Sequence, residues 1–285
     1  MKIIVTHQSP DLDALASVWL IRHFRKGWRD AHVEFVAAGT TLHGVEPDRS
    51  VNVMHVDTGF GMFDHHQDSE FTCAAEKVLK FLCEKKQIKD TDLPAIERVV
   101  AVVNRYDHFK EVFRSDAHDD MSDFSLAYII MGLRANPAMA PKLVELAEMS
   151  LDGIFYYMKN KINAEKVIKK GKKIKTHWGK TIIMETDNDF AMKLAFFHDY
   201  DMAIRYSPHY HNVSIKVHPR SQKKLKKLHA KIIKGDKNAQ WFYHASGRML
   251  LNASTSDTKT MITRYSLKEL IDIIQSFNTT PSEGK

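Results

Sequence analysis

The sequence has few cysteines and no long apolar run. Its 285 residues include only two cysteines, Cys73 and Cys83, ten positions apart in a segment with helical spacing. At ~3.6 residues per turn they point in different directions, so we expect neither a disulfide nor a cysteine-rich zinc site. No stretch approaches the ~18 apolar residues that span a bilayer, and the opening MKIIVTH is too short for a secretory signal. We therefore expect a cytoplasmic protein with no membrane partner.

Internal repeats and long disordered tracts are also absent from the sequence, and its 44% hydrophobic content suffices for a core divided between two domains. The charge is unevenly distributed. Residues 1–150 carry 17 lysines and arginines against 23 acidic residues, whereas residues 151–285 carry 25 against 12. An acidic half with clustered Asp and His suits metal cations, and a basic half suits an anionic substrate, although surface lysines commonly serve only solubility.

Short β-branched runs alternate with helical patterns near the start of the chain. KIIVTH, HVEFVAAG and VNVMHVDTG read as strands, and DALASVWLIRHF and TCAAEKVLKFLCEKK read as helices. This alternation predicts a parallel sheet with helices on both faces. Helical patterns then dominate residues 93–170, after which TIIMET, MAIRYS and VSIKVH predict strands and SLKELIDIIQSF predicts a closing helix.

These patterns predict an α/β protein of two domains. The N-terminal domain, residues 1–151, would hold the parallel sheet, and a helical linker would follow at residues 152–175. A smaller, basic C-terminal α/β domain, residues 176–285, would bind the substrate.

Two clusters of acidic and histidine side chains follow predicted strands. His7, Asp11 and Asp13 come after the first strand, Asp57 ends the third, and Asp64, His65 and His66 lie just beyond it. Ligands collect beyond the carboxyl ends of strands in an open parallel sheet, so we expect these side chains to meet. Mixed imidazole and carboxylate ligands suit Mn²⁺, Fe²⁺, Co²⁺ or Zn²⁺ better than Ca²⁺. A carboxylate such as Asp57 could bridge two ions ~3.5–4 Å apart.

Each of these residues alone has an ordinary explanation. Asp11 could be the N-cap of the helix that it precedes, and a lone histidine is more often a hydrogen-bonded polar residue than a ligand. Two such clusters at two strand ends of one sheet are seldom placed by chance, and the joint pattern favours a metal site.

The motifs resemble those of the DHH phosphoesterase superfamily. HQSPDLDALAS is similar to its first motif and FDHHQ to the motif that gives the superfamily its name, while Asp57 in VDTG and Asp107 in NRYDH match its two other aspartates. The resemblance covers about the first 110 residues. The superfamily includes RecJ exonucleases, nanoRNases, family II pyrophosphatases and exopolyphosphatases, which share a two-metal site. FDHHQDSEF and HASG also resemble the melanocyte-proliferating-gene branch of RNA exonucleases.

The resemblance implies a role for each matched residue. One ion would be held by His7, Asp11 and Asp57, and the other, in part shared, by Asp13, Asp57, His65 and Asp107. Asp57 would be the bridge. Two residues would be catalytic: Asp64 would orient a histidine, and His66 would contact the scissile phosphate or its leaving oxygen. His55 and His108 match no motif position, and their roles stay open.

The superfamily's associated C-terminal domain binds substrate through a glycine-rich turn, and the nearest candidate here is WFYHASGRMLLNAS. Its potential phosphate-binding residues are His244, Ser246, Gly247 and Arg248. The chain has one glycine where that turn has several, so the substrate is not settled by the resemblance. WFY is either a strand packed in a core or a platform on which bases stack.

The sequence predicts a two-domain metal-dependent phosphoesterase. We expect two divalent ions, Mn²⁺ in preference to Mg²⁺, Co²⁺ or Fe²⁺, and a water activated by both ions that cleaves phosphodiester bonds of short single-stranded RNA or DNA, in the manner of an exonuclease or nanoRNase. One alternative is hydrolysis of a small phosphate compound such as pyrophosphate, polyphosphate or a nucleoside 3′,5′-bisphosphate. Another is a nucleic-acid-binding protein without turnover. The oligomeric state is left open.

Overall fold

The computed structural model describes residues 1–67, 69–253 and 261–278. The chain divides into two compact units, Met1–Lys159 and Asn160–Lys285. The division falls within residues 152–175, the segment predicted as a helical linker. In the structure, residues 152–170 are helical, and a strand begins at Lys172.

The first unit is built around a three-stranded parallel sheet. Its strands and helices are β1 (Ile3–His7), α1 (Leu12–Phe24), β2 (His32–Val36), β3 (Val53–His55), α2 (Ala74–Glu84), α3 (Leu93–Asp107), α4 (Asp120–Asp123), α5 (Leu126–Leu133) and α6 (Ala140–Lys170), whose last residues belong to the second unit. The strand order is β2-β1-β3, with β1 parallel to both neighbours. Helices lie on both sides of the sheet, which confirms the predicted fold class.

Helix α1 is the centre of the first core. Its residues 12–21 are buried without interruption, because its sequence is apolar on nearly every side and a helix of that kind must be covered all round. Helices α2 and α3 bury one face each, through residues spaced three and four apart such as Val78 and Leu82, or Val99 and Val103. The packing of α1 against α2 and α3 fixes the end of β1 and the starts of these helices, where the polar clusters lie.

The second unit contains a six-stranded mixed sheet. Its elements after α6 are β4 (Lys172–Thr176), β5 (Gly179–Glu185), α7 (Phe190–Phe197), β6 (Met202–Tyr206), β7 (Val213–Val217), α8 (Lys226–Gly235), β8 (Trp241–Tyr243), β9 (Met249–Asn252) and α9 (Leu267–Gln275). The order is β4-β5-β6-β7-β9-β8, and only β5 and β6 are parallel among the described pairs. A capping box of Ser266 and Glu269 begins α9.

Most elements lie where the sequence patterns predict them, including β1 to β3, β5 to β7 and the closing helix α9. The WFY segment is strand β8: Trp241 is buried in the core, whereas Phe242 is 56% exposed. Both cysteines are free. No helix in the described ranges is long and apolar enough to cross a bilayer.

Candidate metal centre

The two polar clusters meet at the carboxyl ends of β1 and β3. His7 is the last residue of β1, and its Nε2 lies 3.3 Å from Oδ2 of Asp57, which follows β3. Asp57 has a left-handed backbone (φ 55°), a conformation that Asp tolerates better than most residues, and its amide donates to the carbonyl of Phe63. The loop after β3 therefore turns back on itself and holds the Asp57 carboxylate, which is nearly fully buried, beside His7.

Two acidic residues at the start of α1 are each held by a helix N-terminus. Asp11 is the N-cap of α1, and its Oδ1 accepts hydrogen bonds from the amides of Asp13 and Ala14 at 3.0 and 3.1 Å. Asp13 is buried, and its two oxygens accept from the amides of Ala74 and Ala75 at the start of α2, at 2.7 and 2.8 Å. The amides of a helix N-terminus stabilise a buried carboxylate. The ordinary explanation of Asp11 as a cap is thus correct, and neither of these two hydrogen bonds uses its second oxygen, Oδ2.

His65 occupies the middle of a ring of carboxylates. Its Nε2 lies 3.4 Å from Oδ1 of Asp57. It also lies 3.7 Å from Oδ2 of Asp13 and 3.7 Å from Oδ2 of Asp107, and Asp107 is the last residue of α3. Both His65 Nε2 and Asp57 Oδ1 are buried, and neither makes a hydrogen bond within the described residues. A buried polar atom without a hydrogen bond is costly, and the ion pair between these two atoms satisfies them only in part, so both could serve as ligands of a cation.

Three overlapping groups of side chains have ligand atoms within 4.8 Å of one another. They are His7, Asp11 and Asp57; Asp13, His65 and Asp107; and Asp57, His65 and His66. Asp57 belongs to two of the groups and so does His65. All six residues predicted as metal ligands are therefore brought together, and Asp57 is shared by two of the groups. The ligand and bridging roles stay predictions.

The centre contains more acidic side chains than cationic ones. Burial, followed by repulsion from Asp57, raises the pKa of both Asp11 and Asp13, and burial also raises the pKa of Asp107. The Asp57 carboxylate raises the pKa of His65 to about 9. Burial opposes ionisation of Asp57, but contacts with His65 and His7 keep the pKa of this carboxyl below its usual value. Several carboxylates competing for so few positive charges form a donor set that fits divalent cations.

Asp64 and His66 form a hydrogen-bonded pair at the edge of the centre. The buried Oδ1 of Asp64 accepts from Nδ1 of His66 at 2.7 Å and from the His66 amide at 3.1 Å, while Oδ2 accepts from the Phe60 amide. The imidazole is thereby fixed with its other nitrogen turned away from Asp64, and its side chain is 56% exposed. This contact is the one that the role assigned to Asp64 requires. The catalytic roles of both residues stay predictions.

The two histidines with open roles belong to none of the ligand groups, although Nδ1 of His108 lies 3.3 Å from Oδ2 of Asp107, which is a member of one group. His55 Nε2 accepts a hydrogen bond from the Leu42 amide at 3.0 Å, and burial lowers its pKa, so the ring is neutral and anchors the loop after β2. His108 bonds the Asn104 carbonyl through Nδ1 at 2.9 Å, and its ring packs 4.4 Å from that of Phe71.

Sequence reasoning missed Arg134, the C-cap of α5. A guanidinium nitrogen of Arg134 lies 3.6 Å from Oδ2 of Asp11, which makes it a cation beside the first group of ligands. More than a hundred residues separate the two in the chain, and no local motif marks Arg134. Only the packing of α5 against α1 reveals the contact.

The predicted phosphate-binding turn joins β8 to β9 in the second unit. Its three amides donate within the turn: Ser246 to His244 Nδ1 at 3.1 Å, Gly247 to the His244 carbonyl at 2.8 Å, and Arg248 to Ser246 Oγ at 3.3 Å. Gly247 has a φ of 71°, and a Cβ there would lie 2.8 Å from the Tyr243 hydroxyl, so the turn requires glycine for its own folding. The substrate-binding role of these residues stays a prediction, in which Arg248 offers the charge.

Comparison with known proteins adds little to this geometry. No protein-family model and no curated protein sequence matches the chain. Among solved structures, the chain is similar to one from Methanococcus jannaschii described as a candidate family II inorganic pyrophosphatase, with 12% identity over 96% of this chain and 99% of the other. The TM-score of that match is 0.23, which is too low to bear on fold or activity.

Proposed function

We propose that the chain is a divalent-metal-dependent phosphohydrolase. The observation that carries the proposal is the set of three overlapping ligand groups that share Asp57 and His65. A bridging carboxylate between two groups of imidazole and carboxylate donors is the arrangement of a two-metal hydrolase rather than of a structural metal site, which would use up every donor on one ion.

The donors fit Mn²⁺, with Co²⁺, Fe²⁺ and Mg²⁺ as alternatives, because mixed nitrogen and oxygen ligands suit the first-row metals. His7, Asp11 and Asp57 would hold one ion. Asp13, His65 and Asp107, together with Asp57, would hold the other. Two such ions, when bound, would supply an activated water and neutralise charge on the phosphate.

The chain's own residues would position the substrate and move a proton. A cavity of about 250 Å³ adjoins the centre and is lined by His7, Asp57, Gly39, Phe60 and His66, among others. It gives a phosphoryl group a place beside the ligands. Asp64 keeps Nδ1 of His66 occupied, so Nε2 is the atom that would face the substrate. In its imidazolium form His66 would donate the Nε2 proton to the leaving oxygen, and Asp64 would stabilise the charge.

The size of this cavity favours a small phosphate compound, such as pyrophosphate, a short polyphosphate or a nucleoside 3′,5′-bisphosphate, as the substrate. Cleavage of short single-stranded RNA or DNA is the second candidate. It is favoured by the excess of 25 basic over 12 acidic residues at positions 151–285, since a phosphate backbone is bound chiefly by Lys and Arg. Binding without turnover is the weaker reading, because metal binding alone does not need the Asp64–His66 pair.

The experiment is a parallel assay of the full chain after metal removal with EDTA and readdition of Mn²⁺. Pyrophosphate, polyphosphate, adenosine 3′,5′-bisphosphate, bis-p-nitrophenyl phosphate and oligonucleotides of two to twenty nucleotides would be compared. We expect Mn²⁺-dependent hydrolysis, with the small compounds preferred. The absence of metal-dependent hydrolysis of every compound would contradict the proposal.

Asp57→Asn tests the bridging role. Because loss of outer partners of metal ligands already costs ~10–100-fold, removal of a shared ligand should lower kcat at least about a hundredfold on every substrate. Asp90→Asn is the matched control, since Asp90 is exposed in the same unit and contacts none of the ligands. Activity within a few-fold of wild type in Asp57→Asn would exclude a bridging carboxylate at this position.

A further inference from the structure

A second cavity, of about 110 Å³, opens beside the metal centre in the first unit. It shares Asp11, Asp13 and Asp107 with the ligand groups. Its opposite wall is mainly aromatic and apolar, and it is formed by the end of α3, the turn after α3, and α5. The aromatic and apolar side chains of this wall include Tyr106, Phe109, Tyr128, Ile130 and Met131.

This wall is suited to a flat ring. Tyr106 and Tyr128 pack edge to face, with ring centroids 6.3 Å apart and planes at 88°, and Ile130 closes the floor. At the rim, Phe109 is 70% and Met131 is 50% exposed. The cavity is smaller than the ~150 Å³ that accepts benzene, so a ring would enter by one edge and lie with its remainder against these rim side chains. Inorganic phosphate or pyrophosphate would gain nothing from such a surface.

Two charged side chains give the pocket polar ends. Glu111 lines it, and Oε2 of this residue is buried with no hydrogen-bond partner in the parts of the chain that the structure describes. Arg134 also lines it, close to Asp11 and hence to the metal ligands. A buried carboxylate oxygen only accepts hydrogen bonds, so the ligand that completes Glu111 must bring an N–H or O–H group.

We infer that this pocket binds the base of a nucleoside phosphate and selects guanine. The inference rests on the proposed phosphohydrolase function and names its substrate class. The ring packs on Tyr128 and Met131, Glu111 accepts from the adjacent ring N–H and amino group of guanine, and Arg134 faces the phosphate. Adenine and cytosine offer an amino group beside an acceptor nitrogen, which would confront the carboxylate with a lone pair. Uracil offers one N–H between two carbonyls.

The first test compares turnover of base-bearing and base-free esters by the full chain with Mn²⁺. The substrates are p-nitrophenyl esters of guanosine and adenosine 5′-phosphate, with methyl p-nitrophenyl phosphate, which has the same leaving group but no second ring, as the ester without a base. We expect a kcat/KM about tenfold or more higher for the guanosine ester, the range of a charge-assisted hydrogen bond. Glu111→Gln should remove that preference and leave hydrolysis of the base-free ester unchanged. Glu145→Gln, at an exposed position of α6, is the matched control.

A second variant separates the ring surface from the carboxylate. Tyr128→Leu should lower kcat/KM for both nucleoside esters, because each loses the aromatic surface, and should spare the base-free ester. Equal kcat/KM values for the guanosine and adenosine esters in wild type would overturn the inference while leaving the phosphohydrolase proposal intact. So would an equal loss on all three esters in Glu111→Gln.

A binding measurement tests guanine selection even if the protein hydrolyses none of these esters. Calorimetric titration with guanosine 5′-monophosphate, adenosine 5′-monophosphate and inorganic phosphate, in the presence of Mn²⁺, should show the guanine nucleotide binding about tenfold more tightly than the adenine nucleotide. Glu111→Gln should remove this difference. Equal affinities would overturn the inference whether or not the protein is an enzyme.

Discussion

The two units of the chain carry opposite charge in opposite surroundings. In the first unit, the acidic groups of the centre are buried and held by helix N-termini, short loops and histidines. In the second, the lysines and arginines are mostly exposed, and the turn around Ser246 satisfies its own amides. Buried charges act at contact distance and require a specific counterion, whereas exposed charges create a field that salt screens. Under the proposed function, the chemistry would therefore belong to the first unit, and the second would contribute attraction of an anionic substrate.

The sharpest test of this contrast is the pH dependence of stability in the metal-free protein. The pKa of His65 is raised to about 9 from an ordinary value of 6.5, so its ionised form stabilises the fold fully below pH 6.5. That contribution is lost as the pH rises through 9. In EDTA, the free energy of unfolding from urea titrations should fall by roughly 3 kcal/mol at most between pH 6.5 and 9. His65→Gln should flatten the profile, and His118→Gln, at an exposed position, should not. A wild-type profile that stays level in this window would contradict the expectation.

Bound metal should replace the missing positive charge of the first unit. Mn²⁺ at about a hundred times its dissociation constant should stabilise the chain by about 2.7 kcal/mol, and raise the Tm of this unit by roughly 5–10 °C. Calorimetric scans of EDTA-treated protein with and without Mn²⁺ would measure the shift. Asp57→Asn should lose most of it, whereas the control Asp90→Asn should retain it. An equal shift in both variants would mean that Mn²⁺ binds elsewhere.

The Asp64–His66 pair is intermediate between the buried charges of the first unit and the exposed charges of the second, because Asp64 is buried and His66 is exposed. Asp64→Asn leaves His66 in place but weakens the hydrogen bond that fixes its ring. We expect a loss of about tenfold to a hundredfold in kcat, with little change in Mn²⁺ affinity, because Asp64 is in none of the ligand groups and the proposal assigns His66 to neither ion. Isothermal titration with Mn²⁺ beside steady-state kinetics would separate the two effects. A large fall in metal affinity would show that Asp64 supports the ligands instead of His66.

The parts of the structure that could be predicted from sequence are those that depend on a local pattern of residues. Residues that end neighbouring parallel strands must meet, so the strand pattern is enough to predict that His7 and Asp57 lie close together. Strand β4 was not recognised, because its KKIKT sequence has the charged surface of an edge strand and no apolar alternation. Arg134 and Glu111 come to the centre through the packing of distant segments, for which the sequence has no local signal.

The smallest expected effect concerns the second unit, where Arg248 is used to test whether exposed positive charge attracts an anionic substrate. Nε of Arg248 donates to the Ser221 carbonyl at 3.0 Å, so its side chain is partly committed to the fold. If the second unit attracts an oligonucleotide, Arg248→Ala should raise KM by no more than about fivefold, because an exposed ion pair contributes ~0–1 kcal/mol, and should leave kcat on bis-p-nitrophenyl phosphate unchanged. Binding of the oligonucleotide should weaken with salt. The logarithm of the binding constant should fall with the logarithm of the salt concentration at a slope of roughly −0.7 per neutralised phosphate, and the variant should lose about one such contact.

Arg29→Ala, which removes the same charge from an exposed position of the first unit, is the control. A flat salt response with an unchanged KM would confine substrate binding to the first unit, because a small phosphate compound held at the buried centre does not need the field of the second.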